Sequence, residues 1–218
     1  MENEIIIRIK EDETVKVEVS ENGTITHKNI SPDTLIQCIQ GSIEQNVIKS
    51  GLLPSGTLSV AIDSSNESKY IVMEFPDDHA DMAYMDTVYE RFPIPRLLFG
   101  FAVQESGRIS KVNLGVPADE KLTMDTKMYK YPFSNVSHFT MCTGSNSLPD
   151  VKKGLWQLTN LPYHIMRLPD NDDHFMDSHN RFSMSRRDLM EHLRDKDRNY
   201  YYEHVLVPMP NTTLKDFM

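Results

Sequence analysis

Residues 95–116 read PRLLFGFAVQESGRISKVNLGV, two runs of β-type residues on either side of Glu105-Ser106-Gly107. Each run has the length and the branched and aromatic content of a strand, and the glycine supplies the positive φ that a tight reversal needs, so the stretch predicts a hairpin. Upstream, TLSVAI at 57–62 and KYIVMEF at 69–75 flank Asp63-Ser64-Ser65-Asn66 as a second hairpin. Together the two predict a meander of about four strands. The intervening PDDHADMAYMDTVYERF at 76–92 has no clear period and is expected as a long loop or a short helix.

Working toward the N-terminus, EIIIRI, TVKVEVS and TITHKNI within residues 4–30 are three further β-type runs, the last two joined by Glu21-Asn22-Gly23. Asn and Gly both accept positive φ, which marks a small meander. Ser31-Pro32 then offers an N-cap followed by proline at the first helical position. Leu35, Ile36, Cys38, Ile39, Ile43 and Val47 keep helical spacing, so an amphipathic helix is expected over about 32–49 with Cys38 on its apolar face. The class is therefore α+β, with a β-meander extension at 1–30 and a main domain at 31–218 in which the second meander packs against this helix and against C-terminal helices.

Beyond Pro117 the pattern turns irregular to about residue 150, with Tyr129, Tyr131, Phe133 and Phe139 as aromatic anchors. Ordered loops of this length tend to carry function. DVKKGLWQLTNLP holds a helical turn or two, with Trp156 as a packing anchor. SRRDLMEHLRDK, opened by Ser183 or Ser185, is an amphipathic helix carrying Leu189, Met190 and Leu193. Tyr200-Tyr201-Tyr202 and EHVLVPMP close the chain as a strand or docked tail.

Composition bounds the function. A formal net charge of -9 opposes binding to a phosphate backbone, which requires Lys and Arg to displace counterions. The basic residues Arg186, Arg187, Arg194, Lys196 and Arg198 alternate with Asp188, Glu191, Asp195 and Asp197, the pattern of a solvated helix face. No stretch approaches the roughly 18 apolar residues of a membrane span. MENEIIIRIKEDE has acidic flanks and no small-residue cleavage site, unlike a secretory signal. Two cysteines build no disulfide framework, so thiols in a reducing, cytoplasmic setting are expected.

Cys142 sits among Ser, Asn, Pro and Gly in YPFSNVSHFTMCTGSNSLPD at 131–150, a poor setting for a buried thiol. Gly144 and Ser145 would let backbone N–H groups approach a reacting carbonyl, Asn135 or Asn146 offers an oxyanion donor, and His138 lies four residues upstream as a base. An inert small hydrophobe is the alternative. DNDDHFMDSH at 170–179 gathers four aspartates with His174 and His179, but at no recognisable zinc spacing, and a solvated acidic loop accounts for it equally. No GxGxxG, Walker, GxSxG or HExxH motif is present.

The order of pieces, a helix, a four-strand meander, an irregular segment with Asn-Val and then a cysteine, a tryptophan and C-terminal helices, resembles the ubiquitin-conjugating enzyme fold. The chain is most similar to a bacterial branch, the prokaryotic ubiquitin-conjugating family D with the PRTRC-system protein B group. PFSNV at 132–136, CTG at 142–144 and FMDSHNRF at 175–182 carry the likeness, with PIPRLLFGF at 93–101 as its proline-flanked strand. Phe133-Ser134 stands where the eukaryotic enzymes have His-Pro, and no glycine precedes Cys142. The resemblance implies a cytoplasmic transferase that needs no cofactor or metal. Its Cys142 would take a ubiquitin-like protein from an activating enzyme as a thioester, with Asn135 or Asn146 stabilising the tetrahedral intermediate and Gly144 leaving room for the incoming chain. A catalytically inactive binding module of a plasmid or mobile-element system is the alternative reading of the same resemblance.

Overall fold

The structure is a computed structural model that describes residues 4–10, 14–21, 23–42, 49–63 and 65–218. It divides into two compact units, Met1–Lys49 and Ser50–Met218. The first unit holds the N-terminal strands and the first helix. The class is mixed α+β with mainly antiparallel sheets.

In the first unit β1 (Glu4–Ile9), β2 (Val15–Glu21) and β3 (Thr24–Ile30) form the expected three-stranded meander. The register Ile5↔Val19, Ile7↔Val17 and Ile9↔Val15 sets aliphatic residues on one face, because side chains alternate along a strand. The opposite face carries the Arg8–Glu18 ion pair at 3.0 Å. Ser31 caps α1 (Pro32–Ser42) as expected, its hydroxyl accepting from the Thr34 N–H at 3.1 Å. Residues 43–48, over which the helical pattern was expected to continue, lie outside the described residues, as do Asn22 and Ser64 of the expected turns. Cys38 is exposed, so the apolar spacing of α1 does not bury its thiol.

The second unit is built on the expected meander. β4 (Thr57–Ile62), β5 (Lys69–Glu74), β8 (Leu98–Val103) and β9 (Ile109–Pro117) are antiparallel neighbours in the order β9-β8-β5-β4. The stretch at 76–92 is neither loop nor helix. It is a two-stranded hairpin, β6 (His79–Tyr84) and β7 (Thr87–Pro93), inserted between β5 and β8. Ala80, Met82 and Tyr84 are buried in strict alternation, and the reversal at Met85 takes a positive φ of 50°. An apolar Ala83 at an outward position of β6, broken alternation along β7 and a non-glycine turn obscured the strand period.

The register decides which faces are covered. The pairs Ile71↔Phe101 and Met73↔Phe99, with Val112 and Leu114 from β9, form one face, on which Phe99 and Phe101 stack with centroids 6.0 Å apart. The hairpin β6–β7, α2 (Leu161–Met166), α3 (Arg186–Leu193) and Tyr201 complete this core. The other face, with Val72 and Leu98, is covered by Met128, Phe139, Leu214 and Phe217, the last two from the C-terminal helix α5 (Leu214–Phe217). A sheet covered on both faces explains why its central strands read as near-continuous apolar runs.

The irregular segment after Pro117 carries three short strands. β10 (Lys127–Tyr129) pairs β9 and β13 (Pro208–Thr213); β11 (Val136–Ser137) and β12 (Thr140–Met141) form a hairpin whose Thr140 pairs Asn113 of β9. Phe133 pins it, fully buried, in edge contact with Phe92 at 5.8 Å, Tyr131 at 5.3 Å and Tyr201 at 6.4 Å. Trp156 is not the packing anchor expected: it is 47% exposed on a 3₁₀ turn (Leu155–Asn160), while Leu155 and Leu158 of that turn are buried. The Tyr200-Tyr201-Tyr202 run lies in α4 (Arg198–Tyr200) and the π-turn that follows it, where the Tyr201 hydroxyl donates to the Pro93 carbonyl at 2.6 Å. Among the described residues no helix is long and apolar enough to cross a membrane.

Gly100 is required by a cross-strand close approach. A Cβ there would stand 2.2 Å from the Tyr70 hydroxyl oxygen, which is held by the Asn113 amide at 2.8 Å and itself donates to the Phe217 carbonyl at 3.3 Å. Gly100→Ala is expected to cost about 1–3 kcal/mol of unfolding free energy, the usual range for overpacking. Removing the ring in a Tyr70→Ala background should shrink that penalty by roughly half or more, as read from urea midpoints in a double-mutant cycle.

Candidate active site

Cys142 follows directly on β12 and is exposed. It lines a small cleft of about 90 Å³ together with Asn135, Gly144 and Asn146, so the four residues singled out in the sequence meet in one place. Leu168, Pro169, Asp170, Asn171 and Asp173 form the opposing wall. His138, the candidate base, is not among the lining residues. It occupies the two-residue turn of the β11–β12 hairpin at φ 55°, a conformation for which His is one of the more tolerant non-glycine residues.

Two backbone turns shape the cleft. Thr143 to Asn146 close a β-turn in which the Asn146 N–H donates to the Thr143 carbonyl at 3.1 Å and Gly144 takes a φ of +56°. Among non-hairpin and hairpin types alike, positive φ at the first central position alone is the II′ pattern, for which glycine is preferred. The N–H groups of Gly144 and Ser145 have no partner among the described residues and point to no backbone acceptor. Asn135, at φ 62°, donates its N–H to the Asp173 carbonyl and accepts from the Cys142 N–H, both at 2.7 Å. The backbone of Cys142 is thereby tied to Asn135.

The side chains of the two asparagines are already engaged. Asn135 Nδ2 donates to Asp170 Oδ1, and Asn146 Nδ2 donates to the Thr143 carbonyl at 2.9 Å. As they stand, each amide spends one N–H on holding the loop in shape, and the Gly144 and Ser145 backbone N–H groups next to the thiol residue are without partners among the described residues.

Asp170 is the centre of this network. Its Oδ1 also accepts from the Asn171 N–H at 2.9 Å and lies 2.9 Å from the Ser134 hydroxyl, and its Oδ2 pairs with Arg186. The Arg186 side chain is wholly buried, its guanidinium 4.3 Å above the centre of the Tyr84 ring and donating to the Asn171 carbonyl. This corrects the reading of Arg186 as part of a solvated helix face. Arg186 is the first residue of α3, and the helix turns it inward while Arg187 and Asp188 remain exposed. Burial pushes the Asp170 carboxyl above its ordinary range, while Arg186 and the hydrogen bonds from Ser134 and Asn171 pull it down. Nothing local in the sequence announces a partner sixteen residues away.

The 170–179 cluster is dispersed by the same network. Among the described residues no group of His, Cys, Asp and Glu is arranged to hold a metal ion. Asp170 serves Arg186, Asp172 accepts from the Tyr84 hydroxyl at 2.9 Å, and His179 is only 8% exposed. Burial, seconded by the Lys130 charge, lowers the His179 pKa, against the Phe133 carbonyl, which favours the proton. No family model matches the chain, no curated protein matches it, and no solved structure matches it.

Two outcomes follow from this geometry. Asp170→Ala strands the buried Arg186 charge and should destabilise the chain by about 3–5 kcal/mol; pairing it with Arg186→Met should recover part of the loss, measured by chemical denaturation. For His179 the unfolded ring takes up its proton near the ordinary 6.5 and the folded ring resists it, so the unfolded state binds more protons as the pH falls below that value. The stability it contributes is complete above 6.5 and declines on acidification. The loss between about pH 7 and about pH 5 should be shallower in His179→Gln than in the parent chain.

Proposed function

We propose that the chain is a ubiquitin-conjugating-enzyme-like protein whose Cys142 carries a ubiquitin-like protein as a thioester. The observation that carries this reading is an exposed thiol beside a glycine turn whose Gly144 and Ser145 N–H groups are unpartnered. The fold reading is supported by the antiparallel β4-β5-β8-β9 order followed by the cysteine hairpin and the helices α2 and α3. The β6–β7 hairpin and the strands of the first unit are additions to that plan.

In the first step the Cys142 thiolate attacks the thioester carbonyl held on an activating enzyme. The tetrahedral oxyanion is met by backbone N–H donors, and the enzyme's thiolate departs as the new thioester forms on Cys142. In the second step an acceptor amine attacks that carbonyl, the amide bond forms, the Cys142 thiolate leaves and the amine proton passes to solvent. Thiolates leave readily, so the site needs little acid–base machinery. The Arg186–Asp170–Asn135 chain of contacts acts as the support that holds Cys142 in place.

A second reading, a non-catalytic binding module of the same fold, is favoured by one specific observation: the Asn135 and Asn146 amides each already spend an N–H on a structural bond, to Asp170 and to the Thr143 carbonyl. The experiment separates the two. In a Cys38→Ser background, which removes the other exposed thiol, incubation with a verified activating enzyme, ATP and its ubiquitin-like protein should give a reductant-sensitive adduct that Cys142→Ala abolishes. Binding of the charged partner without any such adduct establishes the module instead.

A further inference from the structure

The β11–β12 hairpin also borders a larger cavity, of about 480 Å³, within the size range of small-molecule sites. Tyr131, Val136, Met176 and Met209 give it apolar walls, and Lys130, His138 and His179 supply its nitrogen donors. No acidic residue is among its described lining, in a chain of net charge -9. The carboxylates that act on this region stand outside the lining: Asp216 interacts with His138, and Asp170 with Tyr131. Lys130 forms no ion pair among the described residues.

His179 is the second observation. Its ring is more than nine-tenths buried in the wall of the cavity, and its Nδ1 is sealed without a hydrogen-bond partner among the described residues. Buried polar nitrogens are ordinarily satisfied, so an unpaired one in the wall is a cost built into this cavity.

We propose that this cavity binds a small organic monocarboxylate, its aliphatic or aromatic body against Val136, Met176 and Met209 and its carboxylate on the Lys130 ammonium. A single fixed cation matches a single negative charge, whereas a phosphate dianion would leave charge uncompensated among apolar walls. A neutral ligand would forgo the only unpaired cation of the lining, and an ammonium would be repelled by it. The imidazole of His138 lines the same cavity as a further donor. This proposal does not depend on the chemistry of Cys142.

The test is calorimetric titration of the full chain with hexanoate, benzoate, hexanol and hexylamine. Hexanoate or benzoate should saturate one site and bind at least tenfold more tightly than hexanol, with no binding of hexylamine. Lys130→Met, which keeps the aliphatic stem, should weaken the carboxylate by about ten- to a hundredfold, the range for a lost charge-assisted hydrogen bond. Met209→Trp, which fills the cavity, should abolish binding while the thermal unfolding midpoint shows that the fold persists. Equal affinity for hexanol, an unchanged Lys130→Met, or no saturable carboxylate binding in the folded parent chain overturns the proposal.

Discussion

The buried pair of Arg186 and Asp170 is the constraint on which the organisation of the cleft depends. A guanidinium with no solvent exposure is tolerable only if its charge is matched, because desolvation of an ion costs several kcal/mol, and here both terminal nitrogens are paired while Nε has no partner among the described residues. The match comes from the Asp170 carboxylate and the Asn171 carbonyl of the segment before the 3₁₀ turn at His179 and from the face of Tyr84 at the end of β6, so the pair ties both to the start of α3. Since a carboxylate accepts on both oxygens, the pair reaches further, through Asn135 and Ser134, into the loop ahead of Cys142. Such a pair adds little net stability over an apolar replacement, but it admits few alternative arrangements, which is what a loop carrying a reactive side chain needs.

The Cys142 loop is held from beneath by these side chains and by the backbone bond from Cys142 to Asn135. Asn135 ties it to Asp170, Asn146 closes its own turn on Thr143, and Gly144 provides the positive φ that opens the turn beside the thiol. The division of labour is chemically sensible. Side-chain amides are good at fixing one loop conformation, and backbone N–H groups on a tight turn can meet an oxyanion without any rotamer to order.

Much of this was legible in advance because it rests on local rules. The Ser-Gly turn, the β-type runs EIIIRI and TVKVEVS, the apolar runs of 69–75 and 95–103, and a serine cap for α3 at Ser183 or Ser185, which the structure places at Ser185, all write short-range physics into short stretches. Cys142, Asn135, Gly144 and Asn146 were recognisable as a set since they lie within twelve consecutive positions and one loop joins them. What was missed shares one cause. The β6–β7 hairpin turns on Met85 with positive φ, a conformation no local rule assigns to methionine; Trp156 and Cys38 read as core by residue type, yet packing left them outside. Arg186 erred in the opposite direction, a charge on a charged helix that burial claimed.

The primary structure alone settled the class, the order of the meander strands, the cap of α1 and the place of the thiol beside a glycine turn, because each follows from propensity and periodicity over a few residues. The partner of Asp170, the engagement of Asn135 and the burial of His179 in a cavity wall were decided only by the tertiary structure. Each joins groups distant in the chain or depends on which side of an element faces inward. Whether a given charge or imidazole is solvated or enclosed is a property of the space around it, and that space exists only once the chain has folded.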